Sequence, residues 1–242
     1  MIGYLHSIET LGAADGPGIR TVLFMQGCPY RCVFCHNPDT WDARGCALKF
    51  TPVQLFKRVA RFKEYYGKAG GVTASGGEPL AQAAFLVELF GLLKKEGIHT
   101  ALDTAGSILN GSVRALLNAT DLVILDGKHT DPALFDRICG LPENAGGLQK
   151  TLDFLSLCAE TGKRVWLRQV TVPGYTDGAE QVARLRRIAD AYGAERVELL
   201  PYHTAGVYKW DKLGIPYPLA GVEPPSEECM RRLNEVIAEV KR

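Results

Sequence analysis

Apolar residues recur along the chain in two alternating rhythms. Short, nearly continuous runs at 21–25, 71–75, 100–103, 122–126, 165–170 and 196–200 read as buried strands. Between them apolar positions repeat at helical spacing: Leu55, Phe56, Val59, Phe62 and Tyr66 mark one face, and Phe85, Leu86, Leu89 and Leu93 another. Further helices are expected at 112–118, 132–138 and 147–161. Another is opened by Asp177 and Glu180 and carries Val182, Leu185, Ile188 and Tyr192 on one side; a closing helix is capped by Ser226 and carries Met230, Leu233, Ile237 and Val240. Thr51, Pro52 and Gln54 form the signature of a capping box, so the first helix is expected to run from there to Tyr66. Strands alternating with helices imply a parallel sheet with right-handed crossovers. Six strands are two short of a full barrel, so the expected fold is an open, partial (β/α)6 TIM-like barrel.

The chemistry gathers at the C-terminal ends of these strands, where such folds keep it. Directly after the first strand the chain reads Gly27-Cys28-Pro29-Tyr30-Arg31-Cys32-Val33-Phe34-Cys35-His36-Asn37. Three thiols in eight residues can converge on one inorganic centre, and iron–sulfur clusters are the usual occupants, normally with four thiolates. Either a distant residue supplies the fourth ligand, Cys46 being the nearest rival, or one iron is left open. Zinc is the plainer metal reading, but zinc loops usually pair two Cys motifs, and the chain has no second pair. Cys139, Cys158 and Cys229 read as buried or incidental thiols. Asp103, Asp126 and His203 each fall at or just beyond a strand end and would share one pocket with the cysteines.

These residues carry a resemblance. Cys28-x-x-x-Cys32-x-x-Cys35 resembles the cluster motif of the radical S-adenosylmethionine (SAM) superfamily. Asp15-Gly16-Pro17-Gly18-Ile19-Arg20, His36-Asn37, Gly76-Gly77-Glu78-Pro79, 95–100 and Leu199-Leu200-Pro201-Tyr202-His203 sharpen it to the glycyl-radical-enzyme activating enzymes, of the type that acts on pyruvate formate-lyase.

The resemblance implies a single radical SAM domain over 1–242, with a partner-binding loop at 15–20 (Asp15, Gly16, Pro17, Gly18), a cluster loop at 28–36, a cover segment at 204–225 and the closing helix. It implies a 4Fe-4S cluster on Cys28, Cys32 and Cys35, with SAM on the remaining iron. SAM would be bound by Phe34, Cys35, His36, Gly77, Asp126, Gly127, Lys128, His129, Thr130 and His203. A monovalent cation would sit at Asp103, Thr104 and Asp126. An electron from flavodoxin or ferredoxin would cleave SAM to methionine and a 5′-deoxyadenosyl radical, which takes hydrogen from a glycine of pyruvate formate-lyase. No side chain need act as a catalytic base in this chemistry. Only Cys46 lies between Asn37 and Gly70, so the cysteine-rich insert of several related activators is missing. The alternatives are an activator of another glycyl radical enzyme and, from a different class, a non-catalytic metal-binding or electron-transfer protein.

Composition narrows the setting. With 28 basic and 27 acidic side chains, no broad footprint for nucleic acid or anionic membrane is expected. The N-terminus lacks a basic leader and signal-length apolar core, no window reaches membrane-span length, and seven clustered or scattered cysteines fit a reduced interior, so a cytoplasmic location is expected.

Overall fold

The computed structural model describes residues 1–46 and 48–240. In chain order the strands are β1 (Gly3–Gly12), β2 (Arg20–Met25), β3 (Leu48–Phe50), β4 (Gly71–Gly76), β5 (His99–Thr104), β6 (Leu122–Asp126), β7 (Arg164–Thr171) and β8 (Arg196–Pro201). The helices are α1 (Pro52–Val59), α2 (Lys63–Tyr66), α3 (Ala83–Lys95), α4 (Val113–Asn118), α5 (Pro132–Ile138), α6 (Gly147–Glu160), α7 (Ala179–Ala191), α8 (Val207–Leu213) and α9 (Glu227–Glu239).

One sheet holds the strands in the order β3-β1-β2-β4-β5-β6-β7-β8. From β2 to β8 every pairing is parallel, which gives the six expected strands in the expected sequence of neighbours. β3 and β8 end the order, so the barrel stays open. The additional strands, β1 and β3, pair antiparallel at one edge. Sequence patterning misses β1 because two register shifts break its alternation and most of its outer half faces solvent. β3 spans only Leu48–Phe50, too short to show a period.

Alternation along the parallel strands separates two environments. Leu23, Met25, Val72, Ala74, Leu102, Val123, Leu125, Val165 and Leu167 pack outward into the main core with the helices. Each such buried Val, Leu or Met side chain contributes about 1.5–3 kcal/mol. The inner wall is apolar at one level, where Ala101, Leu122, Ile124 and Trp166 pack together. Toward the C-terminal end the same face carries Ser75, Asp103 and Asp126. α9 packs on α7 and β8, covering one edge of the open barrel.

Two local expectations need correction. The expected helix from 51 to 66 is broken: α1 begins with the full Thr51/Gln54 capping box, but a 3₁₀ turn at Ala60–Phe62 separates it from α2. The Tyr66 hydroxyl donates to the Val59 carbonyl at 2.9 Å, occupying the carbonyl a continuous helix would use, and shares a hydroxyl–hydroxyl hydrogen bond with Thr21 Oγ1 at 2.8 Å. Asp177 does not cap α7, whose N-cap is Gly178; its carboxylate accepts from the Gly174 backbone N–H at 2.9 Å and closes the preceding turn.

Candidate functional site

At the C-terminal ends of the strands lies a cavity of about 240 Å³, lined by Cys28, Cys32 and Cys35 together with Asp15, Phe34, His36, Gly77, Asp103, Thr104, Asp126 and Lys128. Thus the residues read from distant stretches of sequence share one space.

The cysteine loop is held from both sides. Gly27 N–H donates to the Thr40 carbonyl at 2.7 Å and Cys28 N–H to that of Trp41 at 3.3 Å. On the other side, Arg31 N–H donates to the Cys139 carbonyl at 2.8 Å and Val33 N–H to that of Ile138 at 2.9 Å. All three thiols are free of disulfides. Burial pushes Cys28 up to about 12 and Cys35 up to about 11, so a metal centre must displace their protons. Cys32 is held below its ordinary value, first by a hydrogen bond from Cys139. Among the described residues no three His, Cys, Asp or Glu side chains are grouped tightly enough for a single metal ion. Three soft sulfurs facing a shared cavity fit an iron–sulfur cluster. Cys46 is elsewhere: its thiol donates to the Leu48 carbonyl at 2.9 Å.

The polar wall has a definite charge order. Asp126 accepts from Lys128 Nζ at 2.6 Å, and Lys128 also lies 5.4 Å from the centre of the Phe34 ring. Burial pulls the Lys128 ammonium down, but Asp126 and Cys32 outweigh it and hold the group well above its usual range. Asp103 accepts from Ser75 Oγ at 2.7 Å; burial, then repulsion from Asp126, raises its carboxyl to about 7. The paired carboxylates are a set of hard oxygens suited to a cation. The Thr104 hydroxyl is already committed, donating to Glu78 Oε1 at 2.5 Å and accepting from the Gly106 N–H at 3.0 Å.

Not every residue expected at SAM lines this cavity. Gly127, His129 and Thr130 do not line this cavity but a small one between the sheet and the helices, beside Leu185 and Ile188. Gly127 packs so tightly that an added Cβ would lie 2.8 Å from Leu185 Cδ1. Thr130 Oγ1 accepts from Arg184 Nε at 3.2 Å, and His129 Nδ1 from the Asp131 N–H at 2.9 Å. His203 stacks on His36 with ring centroids 4.0 Å apart, and it is His36 that faces the cavity. Gly77 lines the cavity, yet the need for glycine is internal: a Cβ there would lie 2.4 Å from the Gly27 carbonyl oxygen. Of the 15–20 loop, Asp15 reaches the cavity, anchored where its carbonyl accepts from Thr73 Oγ1 at 2.7 Å. Arg20 is fully buried and donates to Thr73 Oγ1 at 2.6 Å and the Val72 carbonyl at 3.0 Å. Gly18 is wedged against Gly70, whose N would lie 2.5 Å from an added Cβ.

The cover segment packs on the cysteine loop. Trp210 Nε1 donates to the Cys35 carbonyl at 2.9 Å and its ring meets Trp41 edge-on at 5.1 Å. Lys209 Nζ donates to Asn37 Oδ1 at 2.8 Å. Glu78 was not singled out from the sequence as a contact residue and proves to be the brace behind the wall. It is buried and accepts from Thr104 Oγ1, the Leu80 and Ala105 N–H groups and Ser107 Oγ. Ser75, Tyr30 and Trp41 also line the cavity unforeseen; Ser75, as the last apolar-run residue before Gly76, was at a readable position.

The sequence profile of the Radical SAM superfamily matches residues 22–186. The pyruvate formate-lyase-activating enzyme of Clostridium pasteurianum is 44% identical, the match covering 99% of both chains. The pyruvate formate-lyase 1-activating enzyme of Escherichia coli is 41% identical over 98% of this chain and 96% of its own. Among solved structures, Streptococcus suis SuiB bound to the precursor peptide SuiA superposes with a TM-score of 0.69 at 17% identity, over 90% of this chain and 44% of that one. A domain of pyruvate-formate lyase-activating enzyme from Bacteroides vulgatus gives 0.56 at 24% identity, over 71% of this chain and 94% of that one. At these identities the two structures speak for the fold alone.

Proposed function

The chain belongs to the radical SAM superfamily, and on that premise we propose that it is an oxidoreductase that activates pyruvate formate-lyase by taking a hydrogen atom from one of its glycines. The observation that carries the reading is the meeting of three unpaired thiols, three carboxylates and a half-buried lysine on one cavity, in a chain 41–44% identical over nearly its full length to enzymes so named. Cys28, Cys32 and Cys35 would hold a 4Fe-4S cluster. When bound, the cluster and SAM supply the radical chemistry, with an electron from flavodoxin or ferredoxin.

The protein's own part is binding, orientation and exclusion of water. Lys128, kept charged by Asp126, offers a cation for the SAM carboxylate. Asp103 and Asp126 would hold a monovalent cation beside it. Phe34, Tyr30 and Trp41 wall the space with apolar surface. Asp15 joins the cavity to the loop expected to receive the partner's glycine segment. The setting would be the cytoplasm; among the described residues no helix is long and apolar enough to cross a membrane.

Anaerobic reconstitution tests the reading. The expected protein is brown, holds about four irons per chain and converts SAM to 5′-deoxyadenosine under strong reductant, and Cys32→Ala abolishes the conversion. A colourless zinc protein that leaves SAM intact would contradict it.

A further inference from the structure

A fourth sulfur stands beside the cysteine loop. Cys139 follows α5, is fully buried, and belongs to the same packed group as Tyr30, Cys32 and Phe135, with Cys28 and Cys35 against it. It lines no part of the cavity, so it lies behind the loop and not over the space where SAM would bind. The two segments are clamped together. Hydrogen bonds of 2.8 and 2.9 Å join Arg31 to Cys139 and Val33 to Ile138 on either side of Cys32. At the next residue, a Cβ on Gly140 would lie 2.7 Å from the Arg31 carbonyl oxygen. Of the three loop cysteines, Cys32 is the one buried in the same packed group as Cys139, while Cys28 and Cys35 are half-buried at its edge.

We propose that Cys139 is a reserve thiol that captures Cys32 as a disulfide when the metal centre is destroyed by peroxide. The step balances without a further co-reactant. The Cys32 sulfur attacks one oxygen of hydrogen peroxide, the O–O bond breaks, and one water leaves with the proton of the thiol, giving a sulfenic acid. The Cys139 sulfur then attacks the Cys32 sulfur; the S–S bond forms, the S–O bond breaks, and a second water carries off the Cys139 proton. Two thiols are oxidised and one peroxide is reduced. The consequence is protection. Cys32 is stopped short of the irreversible sulfinic acid, and a dithiol reductant returns both thiols to a loop whose backbone clamps have not moved.

The chemistry depends only on the juxtaposition of the two sulfurs, so its failure and failure of the activase reading are separate results. The full chain carrying its cluster is treated with hydrogen peroxide until the brown colour bleaches, free thiols are blocked, and peptides are mapped by mass spectrometry. The principal disulfide should join Cys32 to Cys139. Reduction with dithiothreitol should restore iron and sulfide uptake, and Cys139→Ala and Cys139→Ser should each lower the reloadable fraction at least two-fold. Cys139→Ser preserves the volume of the side chain, so agreement between the variants separates a lost thiol from lost packing. Recovery of Cys139 as a free thiol while Cys32 pairs with Cys28 or Cys35, or variants that reload like the parent protein, would overturn the proposal.

Discussion

Glu78 is a buried carboxylate that accepts four hydrogen bonds, two of them from backbone N–H groups that cannot turn away. Burial raises its carboxyl, and the Thr104 hydroxyl and the Leu80 N–H work against that. Glu78→Gln keeps the shape but sets an NH₂ group among donors. It should cost about 2–3 kcal/mol in urea unfolding of the reduced apoprotein, with an unchanged slope. The Asp103 carboxyl is raised as well, and its pH dependence follows from that. Its carboxyl is raised to about 7, so the folded state holds the proton more tightly than the unfolded one, and stability falls as pH rises from about 4 to about 7. Asp103→Asn should flatten that decline, measured as the unfolding midpoint at pH 5 and pH 8 in matched salt.

Elements put these residues where they act. β6 ends at Asp126, and continuing its period-2 alternation turns Asp126 and Lys128 toward the cavity while Gly127 and His129 turn to the helices. That parity is present in the sequence, and it separates the residues that line the main cavity from those that line the small one beside the helices. The cysteine spacing describes one short loop whose geometry is local, so the placing of the three thiols on one cavity was legible from the spacing alone. Glu78 was not legible as a brace: its partners on β5 and the following loop lie 26 to 29 positions away, beyond any pattern of neighbours. The cover segment is the element whose role is most exposed to test. Trp210→Ala removes ring contacts to Trp41 at 5.1 Å and Tyr217 at 5.2 Å and the hydrogen bond to the Cys35 carbonyl. It should cost about 3–5 kcal/mol and speed loss of the cluster's visible absorbance.

At the scale of the molecule, six parallel strands bring side chains from position 15 to position 170 to one end of an open barrel. The alternation of strands and helices made that convergence readable, because each strand end must lie on the same side of a parallel sheet. The antiparallel edge of β1 and β3 was not readable, since a half-solvated edge strand with two register shifts carries no clean period. Under the proposed function this assembly delivers a hydrogen-abstracting radical to a glycine of pyruvate formate-lyase. Electron paramagnetic resonance of the anaerobically reduced protein mixed with SAM and pyruvate formate-lyase tests that claim most directly. A glycyl radical signal on the partner, absent with Cys32→Ala, is the predicted result; SAM cleaved to 5′-deoxyadenosine with no radical on pyruvate formate-lyase would contradict it.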